Sequence, residues 1–119
     1  MKKNLFLLLA VFFGVVGCKN QQPSAESLKD ALTDKFYIGV AINAPQITGV
    51  DTNSVALIKQ HFNSITAENC MKSGELQPEE GQFYFDLADQ FIKFGEENNM
   101  YIIGHTLVWH SQAPGWFFT

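Results

Sequence analysis

Arginine is absent from this sequence of 119 residues, and lysine is its only strongly basic side chain. The eight lysines are outnumbered by 12 acidic residues, which gives a formal net charge of −4 at pH 7. Proteins that bind nucleic acid or phosphate normally present clustered basic side chains, because these neutralise the negative charge of the ligand. The composition therefore argues against nucleic acid, anionic polymers and phosphates as partners, and a neutral polymer fits the charge better.

Cysteine is scarce as well, since the chain contains only Cys18 and Cys70. Cys18 ends an apolar leader-like segment, and if it is modified there, Cys70 has no intramolecular partner. No disulfide framework can then be proposed for an exported protein. The fold is expected to be stabilised by packing alone.

Long hydrophobic runs are missing except near the N-terminus, where the apolar run from Leu5 to Val16 follows Lys2 and Lys3. This run has 12 residues, whereas a helix needs about 20 apolar residues to span a bilayer. A short basic segment followed by such a run is typical of a secretory signal peptide. We therefore predict that residues 1–17 are removed on export.

The leader ends in the tetrapeptide VVGC, which is similar to a bacterial lipobox. By that similarity, cleavage leaves a lipidated Cys18, and the mature protein is anchored to a bacterial membrane in the cell envelope, facing the periplasm or the surface. The alternative is an ordinary secretory peptide with an unmodified cysteine. Loss of the two leader lysines leaves six basic and 12 acidic residues, a charge near −6.

The remainder of the chain is long enough for a single domain, and 46% of all residues are hydrophobic, which is a globular composition. Residues 18–35 are predicted to form a lipidated, polar tether that contains Pro23 and leads into a short helix over about residues 25–33. Residues 36–119 are then left for the folded domain.

Motifs for metal, nucleotide and serine-nucleophile chemistry are also missing. The sequence contains no HExxH and no paired CxxC, His105 and His110 lie five residues apart, and His61 falls on a predicted helix. It contains no glycine-rich phosphate loop and no GxSxG elbow. We therefore predict no metal, no cofactor and no nucleotide, which leaves carbohydrate as the ligand class.

Three apolar segments rich in β-branched residues predict strands. They cover residues 36–43, residues 64–69 and the segment that begins at Tyr101. The first is apolar throughout, which is typical of a strand buried on both faces.

Two segments between these strands have apolar residues at helical spacing. The first can be capped by Asp51 or Thr52 and ends near Phe62, and the second is capped by Asp86 and ends at Asn98. The element order β-α-β-α-β predicts an α/β fold with a parallel sheet and right-handed crossovers.

The segment YIIGHTLVWHSQAPGWFF, from Tyr101 to Phe118, is the most informative part of the chain. In an extended chain alternate side chains share a face, so a strand that continued far enough would place His105 and Trp109 together. A ring for stacking beside a hydrogen-bonding imidazole suits a sugar. The alternative is a core strand whose histidine is satisfied internally.

Polar side chains follow two of the predicted strands where they end. Glu68 and Asn69 end the second strand, with Lys72 just beyond them, and His105 and Trp109 end the third. Because the carboxyl ends of parallel strands carry function in α/β folds, we expect these groups to form one site that holds hydroxyls. Each residue alone also has a purely structural interpretation, as a solvated carboxylate, a surface lysine or a core histidine.

Three motifs are together similar to those of a known enzyme family. They are TAENCMK at residues 66–72, the pattern Pro78, Gly81, Phe83 and Phe85 before LAD, and GHTLVWHSQAPGW at residues 104–116. From Phe36 onward the chain resembles the N-terminal part of the family 10 glycoside hydrolases, the endo-1,4-β-xylanases. The resemblance implies an α/β fold of the (β/α)8 TIM-barrel type, with the first three β/α strands in this chain. It also implies retaining hydrolysis of internal β-1,4-xylosidic bonds in xylan.

The resemblance further implies roles for individual residues. The family's binding residues for sugars on the non-reducing side of the scissile bond correspond to Glu68, Asn69, Lys72, His105, Trp109 and Gln112. Glu68 is thereby a binding carboxylate rather than a catalytic one, and Trp109 forms part of the floor. The peptide bond after His105 is cis in related xylanases. Ser73 departs from the tryptophan of many members, which alters a detail of the subsite wall.

The two catalytic groups of such an enzyme are not found in this sequence. Retaining glycosidases use two carboxylates about 5 to 5.5 Å apart. By the resemblance, both are glutamates on later strands, the first in a WDVVNE-like stretch that does not occur before Thr119. We expect the chain to be a truncated or partial xylanase, inactive and unstable by itself. The alternative is a non-catalytic sugar-binding or truncated envelope lipoprotein.

Overall fold

The computed structural model describes residues 27–119, which form a three-stranded parallel sheet with helices. The strands, in their spatial order, are β1 (Gly39–Ile42), β2 (Ser64–Ala67) and β3 (Tyr101–Ile103). Ser64 on the central strand lies opposite Gly39 on one side and Tyr101 on the other. The predicted strand-helix order and the parallel sheet are therefore confirmed. The predicted signal peptide, the lipidation site Cys18 and the polar tether lie outside the described residues.

Five α-helices and one 3-10 helix occur within residues 27–119. They are α1 (Leu28–Ala31), α2 (Ala44–Ile47), α3 (Thr52–His61), α4 (Ser73–Leu76), α5 (Asp86–Glu97) and the 3-10 helix (Gly115–Phe118). The two long helices, α3 and α5, are the predicted crossovers between successive strands. The sequence did not predict α2, α4 or the 3-10 helix, because a single turn is too short to show a periodic apolar pattern. None of the helices in the described range is long and apolar enough to cross a membrane.

α1 is the short helix expected near the start of the domain. The Ser27 hydroxyl caps it by accepting a hydrogen bond from the Asp30 N–H at 3.2 Å. α1 lies against α3, where the Leu28 N–H donates to Nδ1 of His61 at 3.3 Å and the Lys29 ammonium donates to the Lys59 carbonyl at 2.6 Å. These hydrogen bonds attach the beginning of the described chain to the first crossover.

Asp51 caps α3, as the sequence predicted. Its carboxylate accepts hydrogen bonds from the Ser54 N–H at 3.1 Å and from the Gln46 amide at 2.9 Å. The hydrogen bonds from Ser54, and then the one from Gln46, lower the pKa of Asp51. Because Gln46 also accepts from the Asn43 N–H at 3.1 Å, this cap connects α3 to the segment that follows β1.

The core lies between the sheet and α5, whose apolar stripe was predicted. Phe91 of α5 and Ile65 of β2 are fully buried, and α5 packs against both β2 and β3. The closest approach is at Gly95, where a Cβ atom would lie 2.5 Å from Cγ1 of Ile102. The lack of a side chain at this position therefore lets α5 lie directly on β3.

The cap of α5 differs from the prediction. The helix begins at Asp86, and Phe85 is its N-cap residue. Asp86 thus lies in the first turn, where its negative charge interacts favourably with the positive end of the helix dipole. The sequence pattern alone does not show whether an acidic residue is the N-cap or lies in the first turn of the helix.

β1 is shorter and less buried than predicted. It begins at Gly39, and Phe36 and Tyr37 before it are 61% and 63% exposed. Ile102 of β3 points toward α5, so Tyr101 and Ile103 project to the opposite face of the sheet, where the Tyr101 ring stacks on Tyr37 at 5.2 Å. Among the described residues no helix covers this second face, here called the uncovered face. The expectation of a strand buried on both faces is therefore wrong for β1 as it stands here.

β3 is also short, since it ends at Ile103. The chain then leaves the sheet through a cis peptide between His105 and Thr106, as the resemblance implied. The segment that follows, residues 104–114, is a loop that leads to the 3-10 helix. The loop after β3, and not the strand itself, therefore carries His105, Trp109 and Gln112.

Candidate functional site

The predicted site residues lie in the loops that follow β2 and β3. Both strands are parallel, so their carboxyl ends open onto one edge of the sheet. Glu68 directly follows β2, and Asn69 and Lys72 lie in the turn before α4. His105, Trp109 and Gln112 lie in the loop after β3.

Asn69, Lys72 and Gln112 form a closed group of hydrogen bonds, here called the amide–lysine cluster. The Lys72 ammonium donates to Oδ1 of Asn69 at 3.2 Å and to Oε1 of Gln112 at 2.5 Å. The Gln112 amide nitrogen donates to Oδ1 of Asn69 at 3.0 Å. The cluster joins two loops whose residues lie 40 positions or more apart in the chain, so it orients all three side chains together.

The backbone of the loop after β2 sets the position of Lys72. Its N–H donates to the Asn69 carbonyl at 2.8 Å, which closes a tight turn. The Lys72 carbonyl then accepts from the Glu75 N–H at 2.9 Å and from the Leu76 N–H at 3.0 Å, which starts α4. Lys72 is therefore held at a helix start rather than on a mobile surface segment.

The backbone of the loop after β3 sets the position of Gln112. This residue has a left-handed backbone, with φ at 57°, which is uncommon for any residue other than glycine. Its carbonyl accepts from the Gly74 N–H at 2.9 Å. The amide side chain of Gln112 is thus presented to Lys72 from a backbone that is itself tied to α4.

His105 and Trp109 are close together, but for a different reason from the one predicted. Their ring centroids lie 5.6 Å apart in an edge-on arrangement. Because β3 ends at Ile103, the two side chains do not alternate along one extended strand, and Leu107 between them is 93% exposed. The turn of the loop brings the two rings together, so the predicted pairing is confirmed and its stated cause is wrong.

His110 is a further member of this aromatic group that the sequence did not assign. Its ring centroid lies 4.5 Å from that of Trp109, with the planes tilted by 48°. The indole of Trp109 thus has two imidazoles close to it, and Trp109 is 41% exposed. Part of the Trp109 side chain is therefore left open to solvent.

Glu68 is exposed and directly precedes Asn69, a member of the amide–lysine cluster. Its backbone N–H donates to the Ile42 carbonyl at 3.0 Å, which ties the residue to the end of β1. The carboxylate takes no part in the three hydrogen bonds of the amide–lysine cluster. It therefore stays available to accept hydrogen bonds from a ligand.

Trp116 contributes to the site indirectly. Its indole N–H donates to the Gln77 carbonyl at 3.0 Å, which fastens the 3-10 helix to the residue that follows α4. The loop after β3 is consequently attached to α4 at two points, through Gly74 and through Gln77. The sequence offered no signal for these contacts, since they join residues about 40 positions apart.

Cys70 does not belong to the chemistry of this edge. The side chain is buried, and burial raises the pKa of its thiol. A neutral buried thiol is a poor nucleophile and a poor metal ligand. Within the described part of the chain, no three side chains of histidine, cysteine, aspartate or glutamate are grouped as a metal site would require.

The groups that meet at this edge suit an uncharged ligand rich in hydroxyl groups. An ammonium donates, a carboxylate accepts, and amides do both, so hydroxyls can be held from several directions. The exposed face of Trp109 can pack against the apolar face of a ring. The fold and these side chains together define a parallel β/α protein with a candidate ligand site at its strand ends.

Comparison with known proteins assigns this arrangement to a family. The profile of Glycosyl hydrolase family 10 matches residues 27–119, and the chain belongs to that family. The Endo-1,4-beta-xylanase A of Xylanibacter ruminicola is 42% identical over 118 residues, which are 99% of this chain and 31% of that protein. The chain thus spans less than a third of the length of this relative.

Solved structures of similar proteins agree with the assignment. The intracellular xylanase of Thermoanaerobacterium saccharolyticum JW/SL-YS485 superposes with a TM-score of 0.73 at 42% identity, over 82% of this chain and 30% of that one. A mutant protein in complex with xylotriose superposes with a TM-score of 0.71 at 35% identity, over 78% of this chain and 27% of that one. The predicted fold class is confirmed, since the three strands match part of the TIM-barrel fold of this family.

Proposed function

We propose that this chain forms the sugar-binding part of an endo-1,4-β-xylanase, on the non-reducing side of the bond that is cleaved. The observation that carries the proposal is the amide–lysine cluster, which occupies the same edge of the sheet, at the carboxyl ends of β2 and β3, as the partly exposed Trp109. The names of the relatives and the xylotriose complex of a similar protein support xylo-oligosaccharide as the ligand. The substrate is therefore xylan, hydrolysed at internal bonds with retention of configuration.

In this proposal Glu68, Asn69, Lys72, His105, Trp109 and Gln112 bind sugar and none of them reacts. Glu68 accepts hydroxyl hydrogens, Lys72 donates to hydroxyl oxygens, and Trp109 packs against a sugar ring. The two catalytic glutamates are supplied by other β/α units of the same barrel. Retention requires those two carboxylates to lie about 5 to 5.5 Å apart.

Exposure and charge support a binding role for Glu68. Its carboxylate is exposed and lies outside the hydrogen bonds of the amide–lysine cluster. A charged acceptor forms stronger hydrogen bonds with hydroxyls than a neutral amide does. The side chain therefore contributes to holding the sugar that precedes the scissile bond.

Replacement of Glu68 by glutamine tests this role in the whole enzyme. Glu68→Gln keeps the size of the side chain and removes its charge, so we expect kcat/KM on xylo-oligosaccharides to fall by about tenfold, the value of one charge-assisted hydrogen bond. The matched control is Glu96→Gln, which makes the same change on the exposed face of α5 and is expected to leave the kinetics unchanged. Equal kinetics for wild type and Glu68→Gln would refute the binding role.

A second candidate function is sugar binding without hydrolysis. It is favoured by one observation: among the described residues, Glu68 is the one carboxylate that directly follows a strand. The two functions differ in what the gene encodes after Thr119. A glutamate-containing catalytic motif there supports hydrolysis, and a stop codon at that position supports binding alone.

We also propose that the mature protein is anchored to a bacterial membrane through Cys18. The proposal is supported by the sequence VVGC after the apolar leader, which resembles a lipobox. Several acyl chains on one cysteine anchor a protein stably, whereas one chain gives only weak, reversible binding. The sugar site would then be displayed in the cell envelope.

Mass spectrometry of the mature N-terminus tests the anchor. We expect Cys18 to be the first residue and to carry a diacylglycerol mass, and Cys18→Ser to shift the protein from the membrane fraction to the soluble fraction. Cys70→Ser serves as the control, because its buried thiol cannot accept a lipid without unfolding. An unmodified N-terminus produced by cleavage at another position would exclude the anchor.

A further inference from the structure

Gly74, in α4, lies directly against the backbone of Gln112. Its N–H donates to the Gln112 carbonyl at 2.9 Å. A Cβ atom at position 74 would lie 2.5 Å from that carbonyl oxygen and 3.2 Å from its carbon. The atoms that a side chain would meet belong to the backbone, so they cannot rotate away as a flexible side chain could.

We infer that Gly74 is a positioning residue for the sugar-binding side chain of Gln112, and this inference rests on the proposed function. Ordinary contact begins at 3.4 Å and the Cβ would lie at 2.5 Å, so the Gln112 carbonyl would have to retreat by about 0.9 Å. Hydrogen bonds from N–H to oxygen weaken beyond about 3.2 Å. The 3.0 Å bond from Gln112 to Asn69 would be lost by such a movement.

The same movement would separate Gln112 from Lys72. These two side chains join the loops after β2 and β3, with the ammonium 2.5 Å from the amide oxygen. Without Gln112 the ammonium keeps one partner, Oδ1 of Asn69 at 3.2 Å. The direction in which Lys72 presents its remaining hydrogens to a sugar would then no longer be defined.

Space, and not backbone conformation, is what requires glycine at position 74. The glycines with a left-handed φ are Gly49 and Gly81, whereas Gly74 lies in the helical turn of α4. Alanine is intrinsically better than glycine inside a helix. A loss of sugar binding in Gly74→Ala would therefore not come from a weakened α4.

The first test compares Gly74→Ala with Gly115→Ala in the whole enzyme. Gly115 begins the 3-10 helix that follows the loop of Gln112. A Cβ atom at position 115 would meet nothing within 4 Å. We expect Gly74→Ala to raise KM for xylo-oligosaccharides by about tenfold with kcat changed less than about twofold, since a binding contact is lost and the reacting groups are intact. Gly115→Ala is expected to match the wild type. An unchanged KM for Gly74→Ala would overturn the inference.

The second test asks whether Gly74 acts through Gln112. In a Gln112→Ala background, the added Gly74→Ala substitution is expected to change KM by less than about twofold, because the side chain that it displaces is already gone. A further increase of about tenfold in KM in that background would overturn the inference. A lower melting temperature together with an equal loss of kcat would show a structural role only, and would overturn it as well.

Failure of the proposed function is recognised separately. If the wild-type protein does not hydrolyse xylan but binds xylotriose in calorimetry, the proposal of hydrolysis is wrong. The single and double variants are then compared by their dissociation constants for xylotriose. The expected result is again an increase of about tenfold in Gly74→Ala and no further increase in the double variant. A wild-type protein that neither hydrolyses xylan nor binds xylotriose would refute both proposals.

Discussion

The segment from residue 18 to residue 119, expressed by itself, is expected to release no reducing sugar from xylan. Retaining hydrolysis needs a second carboxylate about 5 to 5.5 Å from the first. Among the carboxylates of the described residues, only Glu68 directly follows a strand, since β1 is followed by Asn43 and β3 by Gly104. Release of reducing sugar is measured with the purified segment, and the whole enzyme is the positive control. A rate above that of the buffer blank would contradict this expectation.

The same segment is expected not to melt as a cooperative monomer. In the described sheet β1 and β3 are both edge strands, and Tyr37, Tyr101 and Ile103 are largely exposed on or beside the uncovered face. Each large apolar side chain left in water forgoes about 1.5 to 3 kcal/mol, against a domain stability of about 5 to 15 kcal/mol. Three side chains that are about half exposed forgo a few kcal/mol together, which is a large part of such a stability, and unpaired edges also favour aggregation.

Sedimentation and thermal circular dichroism of the segment measure this outcome. We expect a polydisperse or aggregated sample with a broad, noncooperative transition. In the whole enzyme, by contrast, the remaining strands of the barrel would pair with β1 and β3 and cover the exposed face. A soluble monomer with one sharp transition would show that the core around Phe91 is sufficient without them.

Replacement of Trp109 by alanine is expected to lower kcat/KM on xylan by about 10- to 100-fold in the whole enzyme. The indole lies 5.6 Å from the ring of His105 and 4.5 Å from the ring of His110, measured between centroids, and Trp109 is 41% exposed. Removal of the ring abolishes the surface on which a sugar can stack and leaves both imidazoles without their partner. Binding energy next to the reacting bond is used to reach the transition state, so kcat falls as well as affinity.

The matched control for this prediction is Val108→Ala. Val108 precedes Trp109 in the same loop and is exposed, while its carbonyl, which accepts from the Thr106 hydroxyl at 3.4 Å, is kept. This variant is expected to hydrolyse xylan at the wild-type rate. Steady-state kinetics on xylo-oligosaccharides of increasing length would show the largest loss for Trp109→Ala with the substrates that reach this subsite. Equal losses for the two variants would indicate general damage to the loop.

Local patterns in the sequence were sufficient to predict the two long helices, α3 and α5. The apolar repeat of α5 is carried by its buried residues, among them Phe91 and Phe94, and α3 begins after the predicted cap Asp51. These features depend on neighbours within one or two turns, which a sequence pattern contains. The order of strands and helices, and with it the parallel sheet, followed from them.

Element lengths and burial were predicted less well. β1 begins at Gly39, although the apolar run begins at Phe36. β3 ends at Ile103, although the apolar pattern continues after it. An apolar run shows that a segment can be buried, but pairing partners and covering helices decide how much of it becomes strand. For the same reason the pairing of His105 with Trp109 was predicted from an extended strand that the chain does not form.

By itself, the sequence determined the family and the α/β order, and it supplied the six residues for which we propose sugar binding, because motifs and periodicity are local properties of a chain. Only the tertiary structure decided how those residues meet. The amide–lysine cluster joins Lys72 to Gln112 across 40 positions, and Gly74 sets its geometry by the close approach of two backbones. Contacts between residues so far apart depend on how the loops after β2 and β3 pack together, and no local pattern in either loop contains that information.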